Sequence, residues 1–244
     1  MKTIVSTSHD LVKHWVLLQK DRAYRHATQT VLVEGKNLLH DLLLRHTPIR
    51  LMLAEQSQEL FPDYIGERII ISQIVASKIS GVETSEGCFA EFPLPSHDTP
   101  GKIQHALVLD GLQDPGNVGT LLRTALALDV RTVFLIDPCA DPWNPKALRA
   151  AKGAQFDLTL ISGTFDIIPP DASLIVADTK GEDLRTYTPP KNWFLVVGNE
   201  AHGHRVPESR HPSLITIPMP GPMESLNVSQ AGAIILYALT NSKK

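Results

Sequence analysis

The sequence predicts an α/β protein in two parts: a small N-terminal α/β unit and a larger C-terminal unit built on a mostly parallel, doubly wound sheet. Three observations carry this. Residues 106–109 are apolar on both faces, as a central parallel strand requires, and strand-like runs recur at residues 132–136, 158–161, 174–177, 194–197 and 214–217. Helical stretches, among them residues 145–151, are interleaved with these runs, the pattern of crossover connections. A segment rich in proline, serine and glycine, Phe92-Pro93-Leu94-Pro95-Ser96-His97-Asp98-Thr99-Pro100-Gly101, separates that pattern from an earlier alternation of strands and helices. Proline fixes φ and removes a donor, so this segment reads as a linker between two domains, residues 1–96 and 97–244.

The elements follow in order. Ser8 is the expected N-cap of a first helix with Leu11, Trp15 and Leu18 on one face. Lys13, Lys20, Arg22, Arg25 and His26 gather around Tyr24. Such a cluster is either a solvated helix face, the more frequent case, or an RNA-contacting surface. Residues 30–35 read as a strand closed by Gly35, residues 36–45 as a helix carrying Leu38, Leu39, Leu42 and Leu43, and residues 49–53 as a strand. A short helix over 58–64 and strands over 68–71 and 88–92 complete a small three-layer unit. Beyond the linker, Asn117 is expected to start a helix bearing Leu121, Leu122, Ala125 and Leu128, and the last helix runs over residues 226–239.

Composition bounds the function. A net charge of -3 over 244 residues argues against gripping nucleic acid through bulk charge and leaves room for a local basic patch. Cys88 and Cys139 fit neither a disulfide framework nor a zinc spacing, so a reducing compartment is expected. Met1-Lys2-Thr3-Ile4-Val5-Ser6 is followed by polar residues, and no apolar run is long enough for a bilayer. A cytoplasmic location without a membrane partner is the expectation. His202, His204 and His211 lack a fourth ligand and a helical frame, so they read as surface histidines and no metal is expected. Cys139 has no neighbouring base to activate it.

Three loops at the ends of expected strands carry the chemistry. The first is Asp114-Pro115-Gly116-Asn117-Val118-Gly119-Thr120-Leu121-Leu122-Arg123; Gly119 permits close approach, and Arg123 shares its face. It is neither a dinucleotide fingerprint nor a P-loop. The second is Gly198-Asn199-Glu200-Ala201-His202-Gly203, a carboxylate between glycines that suits orienting an arginine or a hydroxyl. The third is Ile217-Pro218-Met219-Pro220-Gly221-Pro222-Met223-Glu224-Ser225-Leu226-Asn227-Val228-Ser229, a strand end, an open turn and a polar helix start. Taken singly, Ser225, Asn227 and Ser229 read as helix caps and Arg123 as an exposed helix arginine.

Together the three loops resemble the SpoU (TrmH-like) family of RNA ribose 2′-O-methyltransferases in the SPOUT superfamily. The first looks like that family's N-x-G-x-x-x-R motif, the second like G-x-E-x-x-G, and the third like I-P-M-x-G followed by S-L-N-V-S. The likeness covers residue 106 to the C-terminus. A weaker one relates Val33-Glu34-Gly35 and the helix after it to the L30e-like substrate-binding domain of ribosomal-RNA members. Gln230 and the Met223-Glu224 lead-in depart from the family pattern, and Glu224 bears on the acceptor pocket.

The resemblance implies a SPOUT domain whose C-terminal segment forms a deep trefoil knot, an L30e-like RNA-binding domain ahead of it, and a homodimer to which the apolar last helix would contribute. It implies S-adenosylmethionine as cofactor, held by Gly198, Ile217 and Leu226 with Thr179. It also implies Arg123 as the catalytic arginine, with Asn117, Glu200, Asn227 and Ser225 as its helpers. Arginine is always protonated. Arg123 then acts either as a base assisted by a substrate phosphate or, the favoured reading, as a bidentate phosphate clamp. The implied reaction is methyl transfer to a ribose 2′-hydroxyl, with rRNA of the 23S type favoured over tRNA. The alternatives are a tRNA 2′-O-methyltransferase and a non-catalytic RNA-binding or ribosome-assembly protein on the same fold.

Overall fold

A computed structural model describes residues 2–96, 101–199 and 202–241. The chain divides into two compact units: Met1–Ser96 with Trp143–Phe156, and His97–Pro142 with Asp157–Lys244.

In the first unit, strands β1 (Lys2–Ile4), β2 (Thr30–Glu34), β3 (Arg50–Ala54), β4 (Arg68–Ile71) and β5 (Cys88–Pro93) form a mixed sheet in the order β1-β4-β3-β5-β2. β4 pairs in parallel with β1 and β3, while β5 runs antiparallel to β3 and β2. Helices α1 (Asp10–Lys20), α2 (Arg22–Thr28), α3 (Lys36–Leu43) and α4 (Gln73–Ile79) accompany it. Val12, Trp15 and Leu18 of α1 are buried with Met52, Ile69, Val75 and Phe89 in one apolar cluster. Burial of this kind is worth roughly 1.5–3 kcal/mol for each large side chain and is what holds a short helix in place.

Several expectations are corrected here. The N-cap of α1 is His9, whose Nδ1 accepts from the Leu11 N–H at 3.1 Å, and not Ser8. Residues 58–64 form no helix: a single 3-10 turn, Glu55–Ser57, is followed by irregular chain. Phe61 takes a left-handed φ of 56° ahead of Pro62, which stops helix propagation, and Arg68 donates to the Phe61 and Tyr64 carbonyls instead. Of the basic cluster, Arg25 is buried and its Nη1 donates to the Leu18 carbonyl at 2.6 Å, whereas Lys13, Lys20, Arg22 and His26 are exposed. The expected linker begins too early. Phe92 is a buried strand residue packed 5.2 Å from the Phe156 ring, and β5 ends only at Pro93. Residues 97–100 lie outside the described residues.

A buried polar knot locks this unit. Glu91 on β5 accepts from Trp15 Nε1 at 3.1 Å, pairs with His14 Nε2 at 3.0 Å and lies 3.5 Å from Arg50 Nε, while His14 Nδ1 meets the Tyr24 hydroxyl at 2.9 Å. Burial pushes the Glu91 carboxyl up. The hydrogen bond and charge of His14, the Arg50 charge and the Trp15 hydrogen bond outweigh it, and the pKa lies below the ordinary 4.5. A depressed carboxylate contributes stability above its unfolded pKa and loses it as pH falls through the folded value. The unit should therefore weaken from about pH 4.5 downward. Glu91→Leu should remove that acid dependence and cost about 1–3 kcal/mol at neutral pH by leaving the buried Trp15 Nε1 without its acceptor, while Arg50 keeps Glu67 at 3.7 Å. Thermal melts of both proteins at pH 7 and pH 4 check this. Beside it, burial pushes the Cys88 thiol up to about 12, so it is an inert core residue.

In the second unit, strands β6 (His105–Asp110), β7 (Thr132–Ile136), β8 (Thr159–Gly163), β9 (Leu174–Asp183), β10 (Trp193–Gly198) and β11 (Ser213–Thr216) form a sheet in the order β11-β9-β10-β6-β7-β8. Every pairing in it among the described residues is parallel. β6, β7 and β10 are buried nearly throughout, as are the first three residues of β9, which is why these runs are apolar on both faces; β8, at the edge of the sheet, is only partly buried. Helix α5 (Pro115–Ala127) follows β6, and the last helix (Val228–Asn241) packs against it. A Cβ on Gly232 of that last helix would stand 2.6 Å from Leu121 Cδ2 and 3.3 Å from Val197 Cγ2, so the helices and β10 meet at this glycine. The remaining helix, α6 (Pro145–Ala151), belongs to the first unit, and the last is α7.

Candidate active site

A cleft of about 220 Å³ opens at the carboxyl ends of β9, β10 and β11, where ligands enter open parallel sheets. Its wall on β9 comes from a register break. Leu214 on β11 pairs with Val176, but the next residue, Ile215, pairs with Glu182. Residues 177–181 therefore have no partner in the β11 ladder, and Ala177, Asp178 and Thr179 of this stretch line the cleft, with the Asp178 carboxylate accepting from the Lys180 N–H at 2.8 Å. Thr179 lies in this wall, Gly198 at the end of β10, Ile217 beyond β11, and Ser225 and Leu226 just before α7. Among the described residues, no lysine or arginine lines the cleft.

Gly198 is fixed by close approach. A Cβ there would meet the Gly203 carbonyl carbon and oxygen at 2.6 Å and the His204 nitrogen at 2.7 Å. The loop folds back because Asn199 and Gly203 exchange backbone hydrogen bonds, both 2.9 Å. Asn199 Nδ2 also donates to the Gly111 carbonyl at 2.9 Å. The carboxylate expected from this loop, Glu200, lies outside the described residues.

On the other side, α5 begins at Pro115 and its N-cap is Asp114, whose Oδ1 accepts from the Asn117 N–H at 2.9 Å. This corrects the expectation that Asn117 caps the helix: an Asx-Pro pair is the stronger start signal, because proline fits the first helical position. The Asn117 side chain is thereby released from capping, and its Oδ1 accepts from Asn227 Nδ2 at 3.2 Å. Asn227 is itself a cap: its Oδ1 accepts from the Ser229 N–H at 2.9 Å and the Ser229 hydroxyl at 2.6 Å. That is why α7 starts at Val228, two residues later than expected, and why Ser225 and Leu226 remain in the loop. Arg123 is exposed on α5, one turn beyond the buried Gly119, and makes no hydrogen bond or ion pair among the described residues. It is not part of the cleft wall.

The structure thus brings Thr179, Gly198, Ile217, Ser225 and Leu226 to one cleft and joins Asn117 to Asn227 beside it. His202 and His211 are exposed and His204 is half-buried. Sequence reading missed Asp110 and Arg205. Asp110 is fully buried at the end of β6, and its carboxylate takes the Arg205 backbone N–H at 2.5 Å and the guanidinium Nε and Nη2 at 2.9 and 2.5 Å. An acidic residue ending an apolar strand was the available signal, since a buried carboxylate requires a partner.

Residues 104–237 match the model of the SpoU rRNA Methylase family. Over 98% of its length the chain is 29% identical to the 23S rRNA (guanosine(2553)-2'-O)-methyltransferase RlmP of Bacillus subtilis, covering 99% of that protein. An rRNA methyltransferase from Sinorhizobium meliloti superposes with a TM-score of 0.81 at 26% identity, covering 98% of this chain and 96% of that one. An AdoMet-bound rRNA methyltransferase structure from the same organism, 24% identical with a TM-score of 0.82, covers 98% of this chain and 97% of that one and shares the fold.

Proposed function

The chain belongs to the SpoU rRNA Methylase family, and from that premise we propose that it transfers a methyl group from S-adenosylmethionine to a ribose 2′-hydroxyl of 23S-type rRNA. The observation that carries this reading is the cleft, which fits the cofactor chemically. Among the described residues its lining combines apolar residues and glycines with Thr179, Asn199, Thr216 and Ser225, it has one acidic residue, Asp178, and it has no cationic residue that would repel a sulfonium. The groups assigned to the cofactor are Thr179, Gly198, Ile217 and Leu226. The narrow turn at Gly198, where even a Cβ has no room, supports that assignment. When bound, the cofactor supplies an activated methyl group on sulfur.

The chain's own residues do the rest. Asn117 and Asn227, already hydrogen-bonded to each other, position the ribose beside the cleft. Arg123, exposed and unengaged among the described residues, grips the phosphate next to the acceptor ribose through its planar fork. It also stabilises the negative charge that develops as the 2′-hydroxyl loses its proton. Ser225, in the cleft wall, and Glu200 orient these groups.

Three finer features belong to the same reading. The segment after β10 forms a deep trefoil knot; the return of the chain from edge strand β11 to α7, packed on α5 and β10, supports this. Residues 1–96 act as an L30e-like domain that binds the rRNA, supported by the compact mixed α/β sheet and its separate core. The enzyme works as a homodimer. Ile234 at 44% and Tyr237 at 63% exposure leave an apolar stripe on α7 that a second copy would cover. Light scattering at assay concentration should report twice the 26.8 kDa chain mass, and a monomer refutes the dimer.

The function is tested by incubating the protein with radiolabelled S-adenosylmethionine and either total rRNA or total tRNA from a strain lacking the gene. Label is expected in 23S rRNA. Label in tRNA alone would move the substrate, and no transfer with no cofactor binding by calorimetry would leave a non-catalytic RNA-binding protein.

A further inference from the structure

We propose that Arg205 is a positioning residue for methyl transfer: its ion pair with buried Asp110 fastens the loop after β10, on the cofactor side, to the loop before α5, on the acceptor side. The inference rests on the function proposed above.

Asp110 closes β6 in register with Gly198 of β10 on one side and Ile136 of β7 on the other. It is fully buried, and both carboxylate oxygens are held by Arg205, one by the backbone N–H and one by the guanidinium fork. The next residue, Gly111, has a φ of 69° and gives its carbonyl to Asn199 Nδ2 at 2.9 Å. A Cβ on Gly111 would stand 3.1 Å from Arg205 Nη2. The last residue of β6 and the first residue of the loop to α5 are therefore gripped by Arg205, just after the Gly198–Gly203 turn, and by Asn199, within it. The loop runs on to Asp114, the N-cap of α5, and that helix carries Asn117 and Arg123.

A charge buried at this depth persists only with a well-placed partner, so the pair is rigid rather than optional. The fork geometry is specific to arginine; a lysine offers a point charge without it. One carboxylate thus sets both the turn that walls the cofactor cleft and the start of the helix that carries the acceptor-side groups. Transfer depends on the distance between these two sides, and a displacement of about 1 Å can cost a hundredfold. The Arg205 side chain is 46% exposed, so a small cation from solvent can reach its place.

The test compares the full-length wild type with Arg205→Ala and Arg205→Lys for kcat, for KM of each substrate and for melting temperature. Arg205→Ala should lower kcat about tenfold to a hundredfold per folded molecule, with Arg205→Lys between it and the wild type. Added guanidinium ion should restore part of the Arg205→Ala rate without accelerating the wild type. Unchanged kcat per folded molecule in both variants overturns the proposal, as does a loss that tracks the folded fraction alone and ignores guanidinium. If Arg205→Ala fails to fold, Arg205→Lys decides, and a wild-type kcat in it overturns the proposal. Absence of transfer by the wild type would instead count against the proposed function. Calorimetric binding of S-adenosylhomocysteine then reads the cofactor side of the pair: weaker binding to Arg205→Lys is expected, and equal binding overturns the inference.

Discussion

Arg123→Ala should abolish methyl transfer, by about a thousandfold or more, while leaving S-adenosylmethionine affinity nearly unchanged. The separation follows from where the side chain stands. Arg123 projects from the exposed face of α5 and is absent from the walls of the cleft. Its removal creates no cavity and strands no buried partner among the described residues, so the fold should melt within a degree or two of wild type. Under the proposed role, what is lost is charge stabilisation and phosphate alignment, realised only with RNA in place. Arg123→Lys should recover little, because a point charge cannot reproduce bidentate contact. Titration calorimetry with the cofactor and single-turnover transfer to rRNA measure the two halves. A variant that has lost cofactor affinity would place Arg123 in the cofactor site and refute this division of roles.

Gly198→Ala should do the reverse, lowering cofactor affinity about tenfold to a hundredfold and carrying the rate down with it. The added methyl would lie 2.6 Å from the Gly203 carbonyl and 2.7 Å from the His204 nitrogen. Those atoms are backbone, so relief requires the whole turn to move. The turn is tied to Gly111 through Asn199, and the chain just after it to Asp110 of β6 through Arg205, which prevents cheap adjustment. Calorimetry against S-adenosylmethionine checks it, and an unchanged Kd would mean that the turn is not a wall of the cofactor site.

The centre of the second sheet was legible because β6, β7, β10 and the start of β9 are buried and therefore apolar throughout, and α5 and α6 because their apolar positions follow the helical period. What escaped had physical reasons. β1 is three residues long, too short for any periodicity. The helix expected over 58–64 had helix-like composition, but Pro62 and the left-handed Phe61 break it. α4 went unread although Ser72 caps it through the Val75 N–H at 3.3 Å, since seven residues are too few to display a helical period. β9 was read as ending at Ala177 but extends to Asp183 after a register break that only its partner strand reveals. Arg25 was grouped with surface cations, whereas its guanidinium is turned inward to a carbonyl. At the site, the residue types Asn117, Arg123, Gly198 and Asn227 could be picked out from motif order. The Asp114 cap could have been picked out too, had the following proline been weighted above the asparagine. The Asp110–Arg205 pair spans 95 positions, and no local pattern announces it.

The chemistry itself is decided by one measurement. rRNA labelled by the wild-type protein from radiolabelled S-adenosylmethionine is digested to nucleosides and separated by chromatography. A ribose methylase places all the label in a 2′-O-methylnucleoside that survives alkali as a resistant dinucleotide, and Arg123→Ala places none. Label in a base-methylated nucleoside, with the phosphodiester still alkali-labile, would contradict the assignment of the 2′-hydroxyl as acceptor and of Arg123 as the group that prepares it.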